Sequence, residues 1–233
     1  MIDSTRLINW YNFQAPFYHM WRDNYRSLLV RRVAAMLTDN QQPKIVLDAA
    51  CGSGLFTIGL AMLCKQDCFV GLDRSLGMIH VAVRQARRYC LQHVAFHLGD
   101  VHTMPFCDAC FDAVVVAGLF PNIHDWLLVL REFHRVLKSG GQLVIVEFDR
   151  MAMSRLGHLF FRVMISVYKL VSHYFRQFRF AEDWNMETST VDEQALTKSL
   201  LAEGYDLAPI ERLANHMVLS CRKGSQHAAI PSR

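Results

Sequence analysis

Val46-Leu47-Asp48-Ala49-Ala50-Cys51-Gly52-Ser53-Gly54 joins a short apolar strand, Ile45–Ala49, to an apolar helix, Leu55–Lys65, and its reading decides the fold. Glycines at such a junction let the backbone approach a ligand closely and adopt torsions closed to other residues. The helix N-terminus that follows presents unpaired N–H donors to an electron-rich group. A G-x-G turn alone also fits a plain strand-to-helix connection, so the acidic residues around it carry the argument. Asp73 closes the second strand, Cys68–Leu72, 25 residues after Asp48, where a carboxylate can accept both hydroxyls of a ribose. Asp100 closes the third strand in Leu98-Gly99-Asp100-Val101, placed to accept from the exocyclic amine of a base. Asp48 stands at the mouth of the first strand, positioned for an ammonium group. All three lie at carboxyl ends of strands, the edge on which open α/β sheets bind ligands. An ammonium-bearing nucleoside meets these needs better than a dinucleotide. The pyrophosphate cradle G-x-G-x-x-G would need glycine where Thr57 stands.

Outward from the turn, strands alternate with single helices and no internal repeat interrupts them. Helices are predicted at Trp21–Leu37, Met78–Tyr89 and Trp126–Leu137, and further strands at Val94–Leu98, Asp112–Ala117 and Gln142–Glu147. Ser139-Gly140-Gly141 reads as the left-handed stop of the helix before it. This order predicts an α/β fold, a parallel sheet with helices on both faces. After a last helix, Val191–Ala202, the runs Asp206–Leu213 and His216–Cys221 are separated only by Ala214-Asn215 and predict an antiparallel hairpin. The expected organisation is an N-terminal helical cap (1–42), a core (43–150), an apolar helical insertion (151–184), a C-terminal helix and hairpin completing the core (185–223), and a frayed tail (224–233).

Composition narrows the classes. A chain of 233 residues with 52% hydrophobic and 20% charged residues can bury a full core, which excludes a disordered protein. Mean hydropathy of +0.12, with 15 Phe and 11 Met, indicates more apolar surface than a core needs. No stretch of ~18 residues is free of charge, so no membrane span is expected. Met1–Arg6 lacks a basic region leading into an apolar run, and the expected location is cytoplasmic. Seven cysteines at scattered positions do not suggest a disulfide framework. A net charge of +4 is too modest to imply nucleic-acid binding. Cys107-Asp108-Ala109-Cys110 has no second C-x-x-C or H-x-x-H to complete four zinc ligands, so no metal is expected.

The motifs together resemble the class I S-adenosylmethionine-dependent methyltransferases, over residues 43–149 and more weakly to about 222. Asp48-Ala49-Ala50-Cys51-Gly52-Ser53-Gly54 is similar to the family's D-x-G-C-G-T-G, with Ala50 in place of the first glycine. Leu72-Asp73-Arg74-Ser75-Leu76-Gly77-Met78 resembles its second motif, in which the acid takes the ribose and the methionine packs on adenine. Gly99-Asp100-Val101, then Met104-Pro105-Phe106 and Phe111-Asp112, resemble the adenine-binding loop and the fourth strand. The resemblance implies a Rossmann-like fold with a seven-stranded, mostly parallel sheet and S-adenosyl-L-methionine as cofactor. It implies cofactor contacts from Asp48, Ala50, Gly52, Ser53, Gly54, Asp73, Arg74, Met78, Asp100, Val101 and Ala117. Within the superfamily the likeness is nearest to the ubiquinone/menaquinone C-methyltransferases. Arg135-Val136-Leu137-Lys138-Ser139-Gly140-Gly141 through Asp149 is similar to their R-V-L-K-P-G-G-x-L-x-x-x-E-x-S, with Ser139 for the proline and Asp149 for the final serine, and Gly118–Asp125 to their G-L-x-N-V-x-D with one extra residue. Their N-terminal Y-D-x-M-N is here Tyr11-Asn12-Phe13-Gln14-Ala15, a departure in a segment that helps form the acceptor pocket.

Methyl transfer from a sulfonium asks the protein for alignment and exclusion of water. A phenol or quinol carbon also needs a base. His124 and Asp125, just past the fourth strand, are the first candidates, with Tyr11, Tyr18 and His19 of the N-terminal segment behind them. Each is also readable, and more readily, as a polar residue without a catalytic role. Between Arg150 and Phe180 lie six basic residues and no acidic one, with Arg155, His158, Arg162, Ser166, Lys169, His173 and Arg176 on one narrow helical stripe. That stripe fits a helix on the anionic inner face of a membrane or over a greasy acceptor. It also fits a helix buried against a second subunit of a homodimer. Both readings leave an apolar acceptor cavity beneath the helix. The expected activity is methylation of a lipophilic small molecule, a prenylated quinol or phenol first, then a phospholipid amine or polyketide-like product. The alternative is a methyltransferase fold that binds the cofactor without transferring methyl, as a regulatory subunit or a pericyclase-like catalyst. Retention of Asp48, Asp73 and Asp100 favours transfer.

Overall fold

The computed structural model describes residues 23–38, 42, 44–123, 125–149, 191–213 and 215–224. Chain order is α1 (Asp23–Leu37), β1 (Ile45–Ala49), α2 (Leu55–Leu63), β2 (Cys68–Asp73), α3 (Leu76–Arg88), β3 (Val94–Leu98) and β4 (Phe111–Ala117). A 3-10 turn at Phe120–Asn122, α4 (Trp126–Val136), β5 (Leu137–Phe148), α5 (Glu193–Ala202), β6 (Tyr205–Leu207), β7 (Glu211–Leu213) and β8 (His216–Lys223) follow.

One sheet takes the order β3-β2-β1-β4-β5-β8-β6, with β7 pairing on β8 as an eighth strand. The first five strands are mutually parallel, β8 runs antiparallel to β5, and β6 and β7 pair antiparallel with β8. The path has the expected seven strands. The eighth arises because the run read as Asp206–Leu213 breaks at Ala208-Pro209-Ile210, and proline has no N–H for a ladder. Leu213 pairs with His216 across the two-residue loop, where Asn215 takes a φ of +60°, a left-handed turn torsion.

Strand alternation divides the core into two faces. Leu47, Val114, Val116, Leu143 and Ile145 pack with Leu130 and Phe133 of α4 and Leu196 and Leu200 of α5. Val46, Val115, Val144 and Val146 pack with Leu29, Val33 and Leu37 of α1 and Phe56 and Leu60 of α2. Ser139-Gly140-Gly141 does not cap α4, which ends at Val136 and passes directly into β5. Leu137 pairs with Phe111 and Gln142 with Ala113, so residues 138–141 bulge out of the ladder with Gly140 at a φ of +70°. Arg135 and Glu132 of α4 clamp the loop between β3 and β4. Arg135 donates to the carbonyls of Met104 and Phe106, and the Glu132 carboxylate accepts the Met104 N–H at 2.8 Å.

The strand order reverses between β1 and β4. The mouth of an open α/β sheet lies at the carboxyl ends of the strands there.

Candidate cofactor and active site

The β1–α2 turn opens at that mouth. Ala50, Gly52 and Gly54 all take positive φ, at +58°, +56° and +77°. A side chain at Gly54 would meet the Ala82 methyl and the Phe96 ring at 2.9 Å, so that glycine serves packing. A Cβ at Gly52 would meet nothing within 4 Å, so that glycine faces open space. Ala50 holds the torsion at which the family places glycine, a strained position for a residue with a Cβ.

Asp73 anchors the turn from the end of β2. One carboxylate oxygen accepts the Gly52 N–H at 2.8 Å and the other the Ser75 N–H at 2.8 Å. Burial pushes its carboxyl above the ordinary range, against those N–H groups and the nearby Arg74. Each oxygen retains a second lone pair for a ligand hydroxyl. Asp48 is only 1% exposed and lies beneath the turn, accepting the Thr57 hydroxyl at 2.5 Å from the first turn of α2. Ser53 is buried, and its hydroxyl has no partner among the described residues. Burial, with Asp48 and Asp73 nearby, pushes the Cys51 thiol up, so it is held as an inert thiol.

Asp100 sits where the β3–β4 loop begins, its side chain 43% exposed. Burial raises its carboxyl, but the His102 N–H at 2.9 Å and imidazole Nδ1 at 2.7 Å outweigh that and hold it below the ordinary range. Val101 and Met78 are buried, and the Met78 N–H is capped by Ser75 Oγ at 3.2 Å. In the same loop Cys107 is exposed, and the Cys110 thiol donates to its carbonyl.

Across the mouth, Ala117 ends β4 and Gly118 follows at a φ of +72°, again with open space where a Cβ would stand. The segment behind it is pinned on every side. Asn122 donates its side-chain amide to the Gly118 carbonyl, and the Trp126 indole donates to the carbonyls of Phe120 and Ile123 at 3.2 Å. Glu147 of β5 accepts the N–H groups of Leu119 and Phe120 through one oxygen, at 2.8 and 3.0 Å. Its other oxygen is buried with no partner among the described residues, and burial pushes the carboxyl up to about 8. Asp125 is exposed at the N-terminal cap of α4. His124, Tyr11, Tyr18, His19 and the 151–184 insertion lie outside the described residues.

These features fit S-adenosylmethionine. The glycines at 52 and 118 leave room on both sides of the mouth, the Ser53 hydroxyl has no partner among the described residues, and the Asp73 and Asp100 carboxylates stand at the ends of β2 and β3. The description of a methyltransferase domain matches residues 40–204. The chain belongs to the S-adenosylmethionine-dependent methyltransferases.

Its relatives sharpen this. A demethylmenaquinone methyltransferase of Thermus thermophilus is 33% identical over 185 residues, 76% of this chain and 81% of that protein. One of Alkalihalophilus pseudofirmus is 26% identical over 170 residues, 71% of each chain. Among solved structures, a SAM-dependent methyltransferase from Aquifex aeolicus shares the fold at a TM-score of 0.66 and 15% identity, over 86% of this chain and 94% of that one. The [4+2]-cyclase SpnF shares it at 0.68 and 18%, over 94% and 96%. The methyltransferase is thus an enzyme of the quinone C-methyltransferase kinship with S-adenosylmethionine as cofactor. Thr57, His102, Glu132 and Glu147 escaped the sequence reading as site residues. Of these, Glu147 alone carried a signal, as the glutamate of the quoted signature.

Proposed function

We propose that this methyltransferase transfers a methyl group to a carbon of a lipophilic acceptor, a prenylated quinol or phenol, seated beside the Gly118–Asp125 segment. The observation that carries this reading is the similarity to proteins named demethylmenaquinone methyltransferases over three quarters of the chain. The Arg135–Glu147 signature and the apolar, basic 151–180 segment support it.

Bound S-adenosylmethionine supplies an electrophilic methyl on a sulfonium, so the leaving group needs no activation. The chain's own work is alignment, exclusion of water and removal of one acceptor proton. Asp73 takes the ribose while the Gly52 and Gly118 backbones leave the reacting end free of side chains. Alignment of this kind can lower a barrier by ~7–11 kcal/mol. His124 is the proposed base for the quinol hydroxyl, with Asp125, Tyr11 and His19 as its partners or substitutes. The 151–184 insertion is proposed to cover the acceptor and to rest on the cytoplasmic face of a membrane, where a prenylated acceptor partitions. No helix of the described residues is long and apolar enough to cross a membrane.

The test offers the full chain S-adenosylmethionine with chemically reduced demethylmenaquinone in detergent, and in parallel phosphatidylethanolamine. Mass spectrometry and NMR of the products should show one new ring C-methyl on the quinol and none on the phospholipid. Methylation of the phospholipid amine, or of neither, overturns the acceptor assignment.

A further inference from the structure

Glu147 is a buried acid whose environment gives no packing reason for it. It stands at the carboxyl end of β5, 1% exposed, and strand alternation turns it to the face of Ile145, into the apolar layer beneath α4 and α5. Leu143 and Ile145, on the same face, are fully buried hydrocarbons. One Glu147 oxygen has no partner among the described residues, and an unsatisfied buried polar atom works against folding. An apolar side chain would suit this layer better.

What the acid does is local and directional. Its paired oxygen accepts two successive backbone N–H groups, Leu119 at 2.8 Å and Phe120 at 3.0 Å. That fixes both peptide planes leaving Gly118, and their carbonyls are held from the other side by Asn122. The Gly118 carbonyl accepts the Asn122 side-chain amide and the Leu119 carbonyl accepts its N–H at 2.9 Å. The turn so held leaves β4 beside the β1 turn, since Val116 pairs with Ala49. Gly52 and Gly118, both facing open space at positive φ, therefore bound the same mouth.

We propose that Glu147 is a positioning residue of the cofactor cleft, holding the Gly118–Phe120 turn at the height that S-adenosylmethionine requires. It acts through the Leu119 and Phe120 backbone and touches neither cofactor nor acceptor. The proposal is independent of which acceptor the enzyme takes.

Calorimetric titration of S-adenosylmethionine into the full chain tests it without any acceptor. Glu147→Met keeps the volume and removes the acceptor atom, while Glu147→Gln keeps an acceptor oxygen in the same shape. Measured well below the melting temperature of each protein, Glu147→Met, which leaves the Leu119 and Phe120 N–H groups without their acceptor, should bind the cofactor at least about tenfold more weakly, and Glu147→Gln should restore affinity to within about threefold. A general structural role would change melting temperature alone and would not separate the two folded variants by affinity. Wild-type affinity in Glu147→Met, or a Glu147→Gln as weak as Glu147→Met, overturns the proposal. If Glu147→Met does not fold, Glu147→Asp, whose carboxyl is withdrawn by one methylene, is titrated instead. There a severalfold loss supports the assignment and wild-type affinity overturns it.

Discussion

Both oxygens of the Asp73 carboxylate already accept a backbone N–H, from Gly52 and from Ser75, so ligand and turn share one side chain. Asp73→Ala therefore removes charge-assisted bonds worth ~1.5–3 kcal/mol each to the ribose and loosens the turn at once. Cofactor affinity by calorimetry should fall at least about tenfold, and equal affinity in the mutant would remove Asp73 from the cleft. Glu147 has its consequence in pH. Its carboxyl is pushed from an ordinary 4.5 to about 8 by burial, so the folded protein holds a proton that the unfolded chain has released. The stability that goes with this neutral form is complete below the unfolded value and is lost as pH rises toward 8, at roughly 1.4 kcal/mol per unit. Glu147→Gln cannot ionise. Urea unfolding at pH 6 and pH 8 should show wild type losing on the order of 2–3 kcal/mol relative to Glu147→Gln, whereas parallel pH dependence would mean that the buried carboxyl is already charged. Neither Thr57 beneath Asp48 nor His102 beside Asp100 was legible beforehand, because a side-chain partner is chosen by packing and leaves no period in the sequence.

At the scale of elements, the β1–α2 turn separates two uses of glycine. Gly54→Ala would place a methyl 2.9 Å from Ala82 and Phe96 at a φ of +77°. Overpacking and torsional strain together should destabilise the protein by about 2–4 kcal/mol, lowering its melting temperature. Gly52→Ala meets no neighbour and should lose only ~1–2 kcal/mol to its torsion, but its methyl stands where the ligand approaches. Cofactor affinity, not melting temperature, should be its main casualty. Identical melting and binding for the two variants would contradict this division. The sequence marked both glycines and the helix that follows. It concealed the positive φ of Ala50, since alanine signals helix and not a left-handed torsion. Gly140-Gly141 was legible as a point of unusual torsion but not as a bulge in β5, because a glycine pair shows that the chain turns without showing what it turns in.

For the whole molecule, apolar runs and single intervening helices made the parallel α/β core legible, while the reversal of strand order between β1 and β4 came only through the family resemblance. Local periodicity carries no record of which strands become neighbours. The insertion at 151–184 lies outside the described residues, and its charge pattern makes a separate prediction. Arg155, Arg162, Lys169 and Arg176 recur at helical spacing in the sequence, and a basic residue is worth ~1 kcal/mol at an anionic surface. Co-sedimentation with vesicles should rise with anionic lipid and fall with salt, and replacing all four with Gln should abolish the salt dependence while sparing cofactor affinity. Indifference of the wild type to anionic vesicles at low salt would turn the stripe into the edge of a buried helix or a subunit contact. Methyl transfer itself is the most direct measurement. With S-adenosylmethionine labelled in its methyl group and a reduced prenylated naphthoquinol as acceptor, label should pass into the organic phase in proportion to enzyme, and Asp73→Ala should slow it at least about tenfold at limiting cofactor. Cofactor that binds tightly while its label never leaves it, with every acceptor offered, would contradict methyl transfer and leave a cofactor-binding fold in its place.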